Sequence, residues 1–433
     1  MKRILLKPLA GILRWLAALT LNRYKPSLIG VTGSVGKTSA KMAIAAVLGS
    51  SRKVRASGKS FNNEIGLPLT ILGDWDRTEG RFFWFKVFFF AISQLVFRNP
   101  NYPELIVLEY GVDRPDDMNY LLRVAKPHIG VVTAIGEVPV HVEFFAGPEK
   151  VAEEKTKLVA ALPATGFAIL NADDEVVSDM KEQARAHPVT YGFESGTDVC
   201  ITNFENRFEK DFRGAVFKLS YAGNIVPVKI RGAFGKTYAY AAAAAASVGL
   251  IYGLNLVRIS EALLEFNPPP GRLRLISGEK ESFIIDDTYN SSPTATHEAL
   301  DVLRSLKAKR KIAVLGDMLE LGKYTLLAHE GIGKLAAKSA DIIMTLGMKA
   351  KFIAERAVKS GVPRRKVFAF TNLEECARAL EGMIQKGDLI LVKGSQGVRM
   401  EKIVLEVMAE PQRARELLVR QSPVWWRRKS LYE

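Results

Sequence analysis

From residue 27 onward the chain alternates short apolar runs, glycine-rich turns and stretches of helical periodicity. The runs 26–31, Leu105–Glu109, Ile129–Thr133 and Phe167–Leu170 are continuously apolar and rich in β-branched residues, the pattern of strands covered on both faces. Thr38–Leu48 reads as a helix with alanine-rich faces, and further helical patterns separate the strands. This alternation predicts an α/β fold with a mostly parallel sheet. Residues 189–231 differ: polar and apolar positions alternate over short lengths with turns at Gly192, Gly214 and Gly223, which predicts a small antiparallel element. Tyr238–Gly249 is a helix small on every side. Pro268-Pro269-Pro270-Gly271 breaks the chain, and a second series follows at Phe283–Ile285, Lys311–Leu315, Ile342–Leu346, Val367–Phe370 and Leu389–Val392. The expected architecture is a central parallel-sheet domain over 27–268 and a smaller Rossmann-like domain over 269–411. They are flanked by an apolar, basic segment over 1–26 and a basic, Trp-containing tail over 412–433.

Charge refines this picture. Of the net charge of +15, eleven charges sit in residues 1–27 and 413–430, so the body is nearly balanced. That argues against a nucleic-acid surface spread over the fold and suits two basic flanks beside an anionic membrane. The aromatic stretch Phe82–Phe97 and the apolar run Ile4–Leu21 are interrupted by charge, and neither reads as a membrane span. Cys200 and Cys376 match no metal or disulfide spacing. A reducing cytoplasm fits best.

The strongest chemical signal is Gly33-Ser34-Val35-Gly36-Lys37-Thr38, a loop between a strand and a helix. Such a loop aims backbone N–H groups at phosphate oxygens; its lysine reaches the terminal phosphates and its threonine hydroxyl suits Mg²⁺. Val31 departs from the commonest form of this motif, which has glycine there. Glu109 ends a strand, where ligands of open α/β sheets bind. His141 follows another strand, and Lys155 lies in a charged helical run. Singly, each of these three fits an ordinary structural or solvated residue as well as a site.

Together they resemble the Mur ligase family. The matching segments are T-G-S-V-G-K-T-S (32–39), S-F-N-N-E-I-G-L-P-L-T (60–70), V-L-E-Y-G (107–111), H-V-E (141–143), E-K-T-K-L (154–158), L-N-A-D-D (170–174), P-G-R (270–272), D-D-T-Y-N-S-S-P (286–293), G-D-M-L-E-L-G (316–322) with His329, and V-K-G-S (392–395). They occur in the family's order, and D-D-x-Y-N with G-D-M-x-E-L-G points to the branch that adds D-alanyl-D-alanine to a UDP-N-acetylmuramoyl tripeptide. The resemblance implies an ATP-dependent amide ligase of cell-wall synthesis that works through an acyl phosphate, cytoplasmic and monomeric, on a muropeptide and a dipeptide. By it, Thr32, Gly33, Ser34, Val35, Gly36, Lys37, Thr38 and Ser39 cradle ATP. Thr38 and Glu109 hold one Mg²⁺. His141 and a carbamylated Lys155 hold or orient a second. Asn62 and Asn63 lie near the muropeptide carboxylate. Arg272 reaches phosphate and Asp287 ribose. Tyr289, Asn290, Lys393, Gly394 and Ser395 face the acceptor.

Three departures stand out. The family's G-x-H-N-x-x-N-A is replaced by Gly235-Lys236-Thr237-Tyr238-Ala239-Tyr240-Ala241. Its K-G-S-R becomes Lys393-Gly394-Ser395-Gln396, so one expected cation is either missing or supplied by Arg399. The domain that grips the UDP-sugar has no counterpart; in its place stand a basic apolar segment, with Arg3, Lys7 and Arg14 on one helical face, and an aromatic insertion at Trp75–Tyr102. These segments either pack as scaffold or meet an anionic membrane. Two alternatives follow: a ligase of this type with another acceptor or a lipid-linked substrate, and a membrane-associated ATPase without ligase activity.

Overall fold

The computed structural model describes residues 2–58, 60–75, 80 and 82–433, with side chains from residue 8 onward. Its strands form two sheets. The first contains β1 (Ser27–Thr32), β2 (Val54–Ala56), β3 (Leu105–Glu109), β4 (Ile129–Val132), β5 (Phe167–Asn171), β6 (His187–Gly192), β7 (Val199–Phe208), β8 (Arg213–Tyr221) and β9 (Asn224–Arg231), in the order β2-β3-β1-β4-β5-β6-β7-β8-β9. Pairing is parallel through β7 and antiparallel beyond. The expected antiparallel element is formed by β7, β8 and β9 and extends the main sheet. β6 pairs parallel to β5, and its buried Tyr191 donates to Val132 O at 3.1 Å. Strand order reverses around β1, and a crevice opens at such a switch point beyond the strand C-termini.

The second sheet contains β10 (Arg274–Ser277), β11 (Phe283–Asp287), β12 (Arg310–Gly316), β13 (Ile342–Leu346), β14 (Val367–Phe370) and β15 (Asp388–Lys393), in the order β10-β11-β15-β12-β13-β14. Only β10 is antiparallel. The short edge strands β2 and β10 carry no long apolar run.

Helices α1 (Lys2–Tyr24), α2 (Lys37–Gly49), α3 (Gly66–Leu72), α4 (Phe83–Val96), α5 (Asp117–Val124) and α6 (Pro148–Ala160) belong to the first half. The alanine-rich helix Lys236–Ile251 packs on α2 so closely that a Cβ at Gly249 would meet Val47 Cγ1 at 2.8 Å. Small side chains on both helices allow that approach. Helices α1, α3 and α4 share a core of Leu13, Leu16, Leu69, Leu72, Phe83, Val87 and Ala91. The Arg3 and Lys7 side chains and residues 76–79 and 81 of the aromatic insertion lie outside the described residues. Among the described residues no helix is long and apolar enough to cross a membrane.

The basic tail folds back onto the second sheet. Arg399 pairs with buried Glu401 at 2.5 Å and donates to Trp425 O and Arg428 O at 2.9 and 2.7 Å. Arg420 reaches Glu401 at 3.2 Å, and Arg428 lies 4.4 Å over the Trp425 ring. A buried carboxylate needs cationic partners, and the tail meets that need. Trp425 is half-buried among these arginines, while its neighbour Trp426 is exposed.

Candidate active site

The phosphate loop leaves the C-terminal end of β1. Gly33 and Gly36 have φ of 137° and 86°, and a Cβ at Gly33 would collide with Thr133 Oγ1 at 2.0 Å. Only glycine meets both demands. Ser34 N and Val35 N donate to Ala134 O at 2.7 and 3.0 Å. Those two N–H groups pin the loop to the end of β4. The first turn of α2, which begins at Gly36 without a side-chain cap, is left to face an anion. Thr32 Oγ1 donates to Tyr110 O at 3.0 Å, inside the sheet.

Cations crowd this loop. Lys37 Nζ curls onto Gly33 O at 2.8 Å, and buried Lys155 Nζ donates to the same carbonyl at 3.0 Å. Lys41, one turn beyond Lys37 on α2 and fully buried, pairs with Glu109 at 3.1 Å. From the second half of the chain, Arg272 Nη2 reaches Thr38 Oγ1 at 3.2 Å while its guanidinium stacks 4.0 Å from the Tyr289 ring centroid. Burial pushes the Glu109 carboxyl up, but Lys41, Lys37 and Arg272 together hold it below its ordinary value. Burial lowers Lys37, and burial with the nearby Lys37 charge lowers Lys155 much further. Lys37, Lys41 and Arg272 around one carboxylate leave a surplus of positive charge that a polyanion neutralises.

The donor set suits a triphosphate. Ser34 Oγ and Arg272 Nε are buried without partners among the described residues, both at this crevice. Thr38 Oγ1 lies 3.2 and 3.3 Å from the Glu109 oxygens, a hydroxyl and a carboxylate placed as for a Mg²⁺ held largely by phosphates. No group of three or more His, Cys, Asp or Glu poised for a metal occurs among the described residues.

Other predicted positions have mixed surroundings. Asn62 Nδ2 donates to Glu109 Oε1 at 3.3 Å and so belongs to the cluster. Asn63 is exposed, and its carbonyl accepts from Ile65 N and Gly66 N at 3.2 and 2.9 Å, which starts α3. His141 stands in a left-handed conformation, 2.6 Å from Glu320 and 3.3 Å from Asp113. It bridges the two halves of the chain and is not in contact with Thr38 or Glu109. Asp287 pairs across the β11–β15 register with buried Lys393 at 2.6 Å, and Lys393 also donates to Asn290 O at 2.9 Å. Ser395 Oγ accepts from Leu319 N at 2.9 Å. Gly394 lies where a Cβ would meet Met400 Cγ at 2.6 Å. Arg399, expected as a replacement cation, is committed to Glu401 and the tail.

Where the family motif at 235–241 is altered, the substitutes find protein partners. Thr237 N donates to Glu298 at 2.6 Å, across the two halves, and Tyr240 OH donates to Asp173 at 2.8 Å. Lys236 sits 5.0 Å over the Phe193 ring.

The family descriptions "Mur ligase middle domain" and "Mur ligase, glutamate ligase domain" match residues 90–248 and 271–396. The UDP-N-acetylmuramoyl-tripeptide–D-alanyl-D-alanine ligase of Bacillus subtilis is 31% identical over 401 residues, 92% of this chain and 79% of that protein. The chain belongs to the Mur ligase family. The enzyme of the same description from Synechocystis is 30% identical, across 90% of this ligase and 76% of its own length. The crystal structure of the MurF ligase from Thermotoga maritima in complex with ADP superposes with a TM-score of 0.75 at 25% identity, covering 91% of this chain and 82% of the other. As a Mur ligase the protein is an enzyme with a mixed α/β fold. Sequence reasoning missed Lys41, Asp113, Glu298 and Glu320. Lys41 was legible in principle, since Lys37 and Lys41 share a helix face; the other three act through contacts distant in sequence.

Proposed function

We propose that this ligase uses ATP to join D-alanyl-D-alanine to a UDP-N-acetylmuramoyl tripeptide, in the cytoplasm, as a monomer. The observation that carries the reading is Arg272 bridging to Thr38, because it brings a cation from one half of the chain onto the phosphate loop of the other. The central domain spans 27–268 and the second 269–411. The crevice between them receives ATP, with Thr32–Ser39 and Arg272 at the phosphates and Asp287 at the ribose once Lys393 releases it.

The γ-phosphoryl group passes to the muropeptide carboxylate, giving an acyl phosphate and ADP. The dipeptide amine then attacks the carbonyl carbon, and inorganic phosphate leaves as the amide forms. Negative charge moves onto phosphoryl and carbonyl oxygens in both steps, where preorganised cations act most strongly. Lys37 and Arg272 meet that charge. Asn62, aimed by the turn that Asn63 starts, orients the carboxylate. Tyr289, Asn290, Lys393, Gly394 and Ser395 shape the acceptor side. Thr38 and Glu109 would hold one Mg²⁺ and His141 with Lys155 a second, and ions held there would neutralise the phosphates. His141 would then turn from Glu320, and Lys155 would add CO₂ and lose a proton to become a carbamate. Its lowered pKa supports this, since only the neutral amine adds CO₂.

Phosphate release with ATP, Mg²⁺, UDP-N-acetylmuramoyl tripeptide and D-alanyl-D-alanine, omitting one component at a time, tests the reading. Release is expected only with all four. Release indifferent to the dipeptide contradicts it. A second reading, peripheral work at the inner face of the plasma membrane on a lipid-linked precursor, is favoured by the exposed aromatic face of α4.

A further inference from the structure

Helices α1 and α4 turn one face each into their shared core and leave the other uncovered. On α4 and its C-terminal flank, Phe85, Phe89 and Phe97 are 69%, 66% and 75% exposed, and Trp15 on α1 is 61% exposed. Ile12 on α1 and Val96 on α4 are exposed as well. Folded chains rarely expose so many large apolar side chains together, and such patches mark contact sites.

Charge decides the occupant. Neither α1 nor α4 holds an aspartate or glutamate, nor does any residue from 82 to 102. The cations Arg23, Lys86 and Arg98 are exposed beside the aromatic face, and Arg23 donates to Val96 O at 3.5 Å, fastening one helix to the other. Aromatic rings beside Arg23, Lys86 and Arg98 match the headgroup layer of an anionic bilayer. A protein partner would have to bring its own acidic rim, and a second copy would set cation against cation. The α4 helix, Phe83–Val96, is too short to span a bilayer, which takes about 20 residues.

We infer that the exposed face of α1 and α4 docks in the plane of an anionic membrane interface. This deepens the peripheral-membrane reading and is independent of the ligase reading. It also has a mechanical sense: α1 and α4 both pack on α3, and the turn that leads into α3 is bonded by Asn63, whose neighbour Asn62 donates to Glu109. Docking there holds the carboxylate-binding side of the crevice near the lipid surface.

The test is sedimentation of the full chain with vesicles of phosphatidylcholine alone and of phosphatidylcholine mixed equally with phosphatidylglycerol. Binding to the mixed vesicles at low salt is expected, with little binding to the neutral ones. The triple variant Phe85→Ser, Phe89→Ser, Phe97→Ser is expected to bind at least about tenfold more weakly. Its unfolding midpoint and its turnover of soluble substrates should stay at the wild-type level, because these side chains contact solvent. Wild-type protein that stays in the supernatant overturns the inference. So does a triple variant that binds like wild type, or a concentration-dependent dimer that the same substitutions abolish. Vesicle binding by a protein that turns over no substrate would leave this inference standing and remove the ligase reading.

Discussion

Arg272 Nη2 lies 3.2 Å from the Thr38 hydroxyl, while the face of its guanidinium rests on Tyr289 at 4.0 Å. One side chain therefore senses the phosphate loop, the second domain and the D-D-T-Y-N segment together. Arg272→Lys keeps the charge but loses the planar fork and the stack. Steady-state phosphate release should show kcat/KM for ATP reduced by about a hundredfold, the scale for losing one preorganised charge contact. The unfolding midpoint should barely move. A lysine variant with wild-type kcat/KM would show that the bridge plays no part in turnover.

The Lys41–Glu109 pair is the electrostatic floor of the site. Both side chains are buried, at 1% and 2% exposure, and Lys41 is the foremost of the three cations that hold Glu109 ionised. Since Lys37 and Arg272 remain, Lys41→Met should cost less in urea unfolding than the ~3–5 kcal/mol of a wholly unpaired buried charge. Adding Glu109→Gln should restore much of that stability without restoring activity. If the double variant is as unstable as the single one, the loss comes from packing rather than charge.

Lys155 carries the strongest prediction about reactivity. Its pKa is held well below the ordinary lysine value by burial and by Lys37. Within the proposed mechanism, activity should fall in CO₂-depleted buffer and return with bicarbonate. Lys155→Ala should be inactive and partly rescued by a small added carboxylate. The sign of the stability effect follows from linkage. Between the lowered folded pKa and the unfolded one, the unfolded chain binds the extra proton, so this group's contribution to stability rises with pH across that window. Lys155→Met should remove that slope from unfolding curves measured against pH.

Asp286 is fully buried, and burial lifts its pKa to about 7. A carboxyl whose folded pKa lies above its unfolded value adds stability below about pH 4, and loses it as pH rises through about 7. Chemical unfolding from pH 4 to pH 7 should show a fall that Asp286→Asn flattens. An unchanged slope in the variant would mean Asp286 is charged throughout.

Much of this architecture was readable from the chain because parallel strands buried on both faces announce themselves as apolar runs. The runs around Leu105–Glu109, Ile342–Leu346 and Val367–Phe370 became β3, β13 and β14 with the same bounds. β14 is an apolar run although it is an edge strand, whereas β2 and β10 escaped because they are three and four residues long, each with an arginine. The phosphate loop was visible because its chemistry is local. The partners of His141, Asp287 and Arg399 were not, since Glu320, Lys393 and the tail lie far off in sequence and meet them only through tertiary packing. Asn63 shows the other limit: a residue inside a functional motif whose side chain starts a helix, while its neighbour Asn62 touches Glu109.

The acyl phosphate is the centre of the account, and oxygen tracing tests it most directly. UDP-N-acetylmuramoyl tripeptide labelled with ¹⁸O in its terminal carboxylate is turned over with ATP, Mg²⁺ and D-alanyl-D-alanine, and the released phosphate is weighed by mass spectrometry. One ¹⁸O atom is expected in each phosphate released, because the carboxylate oxygen that takes the phosphoryl group departs with it. Phosphate free of ¹⁸O would mean that water, not the carboxylate, receives the phosphoryl group.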